Sequence, residues 1–112
     1  MKMITWQDFE NVELRVGTVI HAEPFERARK PAYKIKVNFG PDIGILQTSA
    51  QVTVHYTPET LIGKTIVGCV NLGEKNIGGF ISQFLLIGAL DQNKAVQLAT
   101  FEGSVPNGSK LC

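Results

Sequence analysis

Residues 33–39 alternate without a fault: Tyr33, Ile35, Val37 and Phe39 fall on one side, and Lys34, Lys36 and Asn38 fall on the other. Successive side chains of an extended strand point to opposite faces, so this segment buries one face and wets the other. A helix would scatter the same apolar residues around its circumference. Val12, Leu14 and Val16 alternate in the same way with Glu13 and Arg15. Half-buried strands must pack on a second layer or close on themselves. A chain of 112 residues with 44% hydrophobic content supplies one core for this. Residues 1–112 are therefore expected to form a single domain.

The rest of the chain fits around these two strands. Thr5 is placed to cap a helical turn over residues 6–9, with Asp8 completing a capping box, and this turn is expected to pack against the barrel. Gly17 sits where a bulge would bend the first strand. After a turn region at 23–31 and the second strand, residues 43–49 read as a third, shorter strand. Thr57, Pro58 and Glu59 form an N-cap, an N1 proline and an acidic first turn, and Gly63 stops that helix within about two turns. Residues 64–72 are β-branched and apolar, 73–79 read as a loop, and 84–90 with 95–98 suggest a hairpin turning at 91–94. An all-β chain of five main strands, with a short helix between the third and fourth and a helical turn at the N-terminus, is the order expected of a five-stranded OB-fold barrel.

Catalysis finds little support. His21 and His55 lie far apart and outside any metal-ligand spacing, acidic residues are spread singly, and no glycine-flanked serine or phosphate-cradling loop occurs. No enzyme activity, metal or cofactor is expected. Cys69 lies in an apolar run and Cys112 is the last residue, so neither belongs to a disulfide or zinc motif, and a reducing compartment fits best. Residues 1–9 mix Lys2, Gln7 and Asp8 with apolar side chains and lack the continuous apolar run of a signal peptide. A cytoplasmic protein without membrane insertion is expected.

The net charge of +1 excludes a whole-molecule field that gathers polyanions, so any nucleic-acid binding must come from a local cluster. Residues 27–36 hold one: Arg27, Arg29, Lys30, Lys34 and Lys36 are five of the eleven cations, with no acid between them. In an OB fold the loop after strand one and the outer side of strand two border the binding groove, so loop and floor are both positive. The competing reading is a solvated face whose lysines keep the sheet from pairing with another molecule. The opposite wall is the segment 73–83, carrying Lys75, Asn76, Gly78, Gly79, Phe80, Ser82 and Gln83. There Lys75 can meet a phosphate and Phe80 can stack a base; alternatively the two glycines only make a tight turn and Phe80 packs inward. Stacking aromatics are otherwise sparse, which favours recognition of a folded RNA by shape and phosphate.

A series of short matches then points to a family. These are Leu14-Arg15-Val16-Gly17-Thr18-Val19, Ala28-Arg29-Lys30-Pro31-Ala32, Phe39-Gly40, Gln47-Thr48-Ser49-Ala50-Gln51, Tyr56-Thr57-Pro58-Glu59, Leu61-Ile62-Gly63-Lys64 and Val105-Pro106-Asn107-Gly108. In that order, and over nearly the whole length, the chain resembles the tRNA-binding OB domains at the C-terminus of many bacterial methionyl-tRNA synthetases and in EMAP-II-like cytokine precursors. It is nearest to their stand-alone CsaA-like branch of export-related chaperones. The resemblance implies a homodimer with an RNA site on the barrel face and, in the CsaA-like branch, binding of unfolded or exported polypeptides. The family's Ser-Glu pair falls on Ser82 and Gln83, so its glutamate is absent here. Phe84-Leu85 follow, where many synthetase-linked members carry small residues, which favours an apolar pocket.

Two functions compete on this basis. In the first, a tRNA-binding module uses Arg15, Arg27, Arg29, Lys30, Lys34 and Lys36 on phosphates, with Lys75, Ser82 and Gln83 on the other wall. In the second, a secretion-associated chaperone accepts unfolded preproteins or export machinery in apolar grooves near a dimer seam, with Phe80 and Phe84 as contacts. For the dimer, Phe84-Leu85-Leu86-Ile87 is apolar on both strand faces, and Ile4, Trp6 and Phe9 add a second cluster that a two-fold contact would bury. In a monomer the N-terminal turn would instead plug the barrel end.

Overall fold

A computed structural model describes all of residues 1–112. Strand β1 (Leu14–Pro24) organises the molecule by serving two partners in succession. Its first part, Leu14 to Thr18, runs antiparallel to β4 (Thr65–Cys69), and its second, Thr18 to Pro24, runs antiparallel to β2 (Tyr33–Asn38). Strand β3 (Ile45–Ala50) pairs with β2 along its whole length, from Tyr33 opposite Ala50 to Asn38 opposite Ile45. The short β7 (Leu85–Leu86) adds to β4, giving the order β3-β2-β1-β4-β7. Two small hairpins stand beside this sheet, β5 (Lys75–Ile77) with β6 (Phe80–Ser82), and β8 (Gly88–Leu90) with β9 (Val96–Leu98).

The ends of the five-stranded sheet meet through side chains. The Gln83 side-chain oxygen accepts from the Gln47 amide at 3.0 Å, and the Gln83 amide donates back to the Gln47 carbonyl at 2.8 Å. Next to them the buried Thr48 hydroxyl donates to the Phe84 carbonyl at 2.7 Å. A nearly closed barrel results. Inside it the alternation read from the sequence is realised: Ile35, Val37 and Phe39 are fully buried, joined by Val19, Ile66 and Phe84, with Leu61 of α2 (Pro58–Leu61) filling one end. Thr57 caps that helix by accepting from the Thr60 amide, and Gly63, at φ +89°, ends it.

Three expectations need correction. The bulge in β1 falls between Val19 and His21, not at Gly17. Gly17 is needed for space, since a Cβ there would run into Val37 and lie 2.9 Å from Phe39. The helix α1 (Trp6–Glu10) has the predicted capping box, with Thr5 and Asp8 exchanging hydrogen bonds at 3.0 Å, yet it buries no residue against the barrel. Hydrogen bonds hold its base instead, from the Asn71 side chain to the Asn11 carbonyl and from Lys110 to the Glu10 carbonyl. Residues 73–79, read as a loop, contain a strand, because Gly78 and Gly79 both adopt positive φ and turn β5 tightly into β6. Two consecutive left-handed residues match the twist of a two-residue hairpin.

Candidate functional site

The basic loop between β1 and β2 is anchored from within. Phe25 and Ala32 are buried, and the Phe25 amide donates to the Ala32 carbonyl at 3.0 Å, closing the neck of the loop. With both ends fixed, Arg27, Arg29 and Lys30 stand exposed at its tip, and none has a carboxylate within ion-pair distance. The outer face of β2 adds Lys36, exposed and unpaired, with Gln47 across from it on β3. Lys75 is exposed at the base of the β5–β6 hairpin, opposite Ser82. The loop, the outer side of β2 and the β5–β6 hairpin thus carry five exposed cations without a carboxylate partner.

The remaining residues singled out from the sequence have other partners. Arg15 donates to Glu13 at 2.5 and 3.0 Å and to the Gly108 carbonyl at 3.0 Å, so its guanidinium is held within the protein. It also lies nine positions before Pro24 on β1, about 30 Å along an extended strand from the basic loop. Glu13 takes Lys110 as well, at 3.0 Å, and the Arg15 and Lys110 hydrogen bonds hold its carboxyl below the usual range. This cluster fastens residues 107–111 alongside β1, which gives Arg15 a structural task besides the phosphate contact expected of it. Ser82 is buried, with its hydroxyl accepting from the Ser49 amide at 3.1 Å, and Gln83 makes the barrel closure described above. Lys34 lies over two aromatic rings, 5.0 Å from the centroid of Phe25 and 5.2 Å from that of Phe80. Phe84 is 4% exposed and packs edge-to-face on Phe39, so it has no surface to offer a peptide.

A cleft of about 810 Å³ is lined by Arg27, Arg29 and Lys30 of the basic loop and by Ile77 and Gly78 of the β5–β6 hairpin, over an apolar floor that includes Val52, Leu85, Leu86 and Val96. Sequence reading missed Gln51, Val52, Leu86 and Val96, which also line it. Neither Phe80 nor Phe84 lines it. Leu85, which the apolar-pocket expectation did include, is 52% exposed beside it. Gln51 closes one of the matched stretches, so a signal was present, whereas Val96 reaches the floor only through the turn of the β8–β9 hairpin. Asp91 in that turn accepts from the Asn93 and Ala95 amides and pairs with His55 at 2.8 Å, tying the turn to the segment before α2. No group of three or more His, Cys, Asp and Glu side chains converges to hold a metal. No helix is long and apolar enough to cross a membrane.

Comparison with known proteins agrees with this geometry. Residues 14–110 match the family described as "Putative tRNA binding domain". Over 106 residues the chain is 36% identical to the methionine–tRNA ligase of Halalkalibacterium halodurans, covering 95% of this chain and 16% of the ligase. The chain thus spans about one sixth of the length of the curated relatives it matches. Among solved structures, the chaperone CsaA of Bacillus anthracis superposes with a TM-score of 0.92 at 41% identity, over 99% of this chain and all of that one. A MetRS-related protein of Pyrococcus horikoshii superposes with a TM-score of 0.87 at 29% identity, over the whole of both chains.

Proposed function

The chain belongs to the tRNA-binding domain family, and from that premise we propose that residues 1–112 act as one non-catalytic, cytoplasmic module that grips folded tRNA as a homodimer. The observation that carries the reading is the set of exposed, unpaired cations Arg27, Arg29, Lys30, Lys36 and Lys75 on the β1–β2 loop, β2 and the β5–β6 hairpin. Phosphates draw affinity from such charges by releasing counterions, with no need for a base-reading groove. Few aromatics are free on this face to stack splayed bases, so the surface suits a folded backbone better than a long single strand.

The dimer rests on the N-terminal segment. Met3, Ile4 and Trp6 are exposed, Trp6 by 87%, at the start of a well-capped helix in which only Phe9 is half-buried. A self-complementary contact between two copies would cover them.

The test is tRNA binding across a salt series. Five phosphate contacts predict that log affinity falls against log salt with a slope of roughly −3.5 to −4.5. Arg29→Ala with Lys30→Ala should weaken binding strongly and flatten the slope by roughly 1.4 to 1.8. A slope near zero in the unaltered protein would sink the proposal.

A second reading is favoured by one feature, the apolar floor of the groove. A polypeptide-binding chaperone, as the CsaA relative is named, would use Leu85, Leu86 and Val96 there, since Phe80 and Phe84 are turned to other tasks. Its signature is salt-tolerant capture of an unfolded preprotein with a negative heat-capacity change, little affected by the Arg29 and Lys30 changes.

A further inference from the structure

We propose that Lys34 is a positioning residue that holds the β5–β6 hairpin against the basic loop, setting the span between the two walls of the RNA-binding face. The inference rests on the tRNA reading above for its functional consequence, and on the following geometry for its substance. Apart from the β5–β6 ladder itself, no hydrogen bond joins residues 73–80 to the rest of the protein; those that secure the hairpin begin at Ile81, through the Gln47 side chain, Ser82 and Gln83. What holds the tip is aromatic. Phe80 packs on Phe25 with ring centroids 5.6 Å apart, and the tip glycine Gly78 rests on the same ring, a Cβ there being 3.5 Å from Phe25 Cζ.

Lys34 completes this contact from β2. Its ammonium lies over both rings, and it makes no ion pair, although Glu23 is its register neighbour on β1. Glu23 instead faces His21, at 3.4 Å. An ammonium over two ring faces is attracted by both quadrupoles. Phe25 is buried at the neck of the loop that carries Arg27, Arg29 and Lys30, whereas Phe80 belongs to the hairpin that carries Lys75. One cation therefore joins the two elements whose separation a folded RNA must match, and its charge serves the protein before it serves a phosphate.

The experiment separates the two roles. Lys34→Met keeps the aliphatic stem and removes the charge. Amide exchange of residues 77–80, measured without RNA, should speed up by about five- to tenfold, the worth of a partly buried cation–π contact. Affinity for bulk tRNA should fall by a similar factor with the salt slope unchanged. Phe80→Leu should cause the same losses and add little on top of Lys34→Met, because both break one contact. Lys34→Arg, which stacks on rings as well, should restore slow exchange. Unchanged hairpin exchange in Lys34→Met would overturn the clamp, as would a slope flattened by roughly 0.7 to 0.9, the mark of a direct phosphate contact. If the unaltered protein fails to bind tRNA, the proposed function falls, while the exchange measurement still decides the clamp.

Discussion

Gly68→Ala should be among the most disruptive single-methyl changes in this barrel. Gly68 lies on β4, opposite Arg15 on one side and Leu86 on the other, where a Cβ would stand 2.7 Å from Phe39 Cζ and 2.8 Å from Phe84 Cδ2. Both rings are buried and lock each other edge-to-face at 5.0 Å, so neither has a free direction in which to retreat. Overpacking of this kind typically costs about 1–3 kcal/mol, and two simultaneous clashes place the change in the upper part of that range. The loss of glycine's freedom in the unfolded chain gives back about 0.4–1 kcal/mol, leaving a net cost of about 1–2.6 kcal/mol. At the usual unfolding entropy per residue, a chain of this size loses about 4 °C per kcal/mol, so Tm should drop by about 4–11 °C. Thermal melts followed by far-ultraviolet circular dichroism read this directly. The same change made on a Phe84→Leu background should cost less by at least about 0.5 kcal/mol, since one clash is gone. A drop under about 2 °C, or equal costs on both backgrounds, would refute the claim that the two rings fix the space at Gly68.

Further outcomes follow from other features. Gln83→Leu removes the acceptor of the Gln47 amide and should cost about 1–2 kcal/mol, with faster exchange at Gln47; continued protection there would show that the barrel closes without it. Asp91 is lowered from 3.8 to about 2, chiefly by the Ala95 amide and then by His55. A carboxyl depressed on folding stabilises above its unfolded value and loses that contribution as pH falls through the folded one. The unaltered protein should therefore lose stability between about pH 4 and pH 2, and Asp91→Asn should flatten that decline; parallel urea midpoints for both proteins across the window would contradict the assignment. Trp6→Ser should shift the protein from dimer to monomer in sedimentation equilibrium, and a monomeric unaltered protein at tens of micromolar would rule out the N-terminal seam.

The barrel was legible because its strands are half-buried. Ile35, Val37 and Phe39 alternate with Lys34, Lys36 and Asn38, and a period of two has no competing interpretation over seven residues. The α2 helix was legible for a different reason: Thr57, Pro58 and Gly63 each have a local backbone preference that needs no tertiary partner. The basic loop could likewise be found, since exposed cations in a short segment stay together however the loop folds. Less of the opposite wall could be read. Whether Phe80 faces solvent or Phe25, and whether Ser82 and Gln83 face a ligand or β3, depends on residues more than thirty positions away. The setting of Arg15 was hidden for the same reason, because Lys110 joins it on Glu13 from the far end of the chain. Gly17 and Gly68 were opaque in kind: a glycine required by a neighbour's bulk looks in sequence like one required by a bend.

The manner in which β3 and β7 are joined bears on how such a module can change over time. A backbone ladder resists alteration because every residue type but proline offers the same amide, whereas this junction has one backbone bond and otherwise depends on the side chains of Gln47, Thr48, Ser82 and Gln83. Stiffness at that edge is therefore heritable separately from the fold. Point substitution at positions 47, 48, 82 and 83 can loosen or tighten this edge while the backbone ladders of the remaining strands stay as they were.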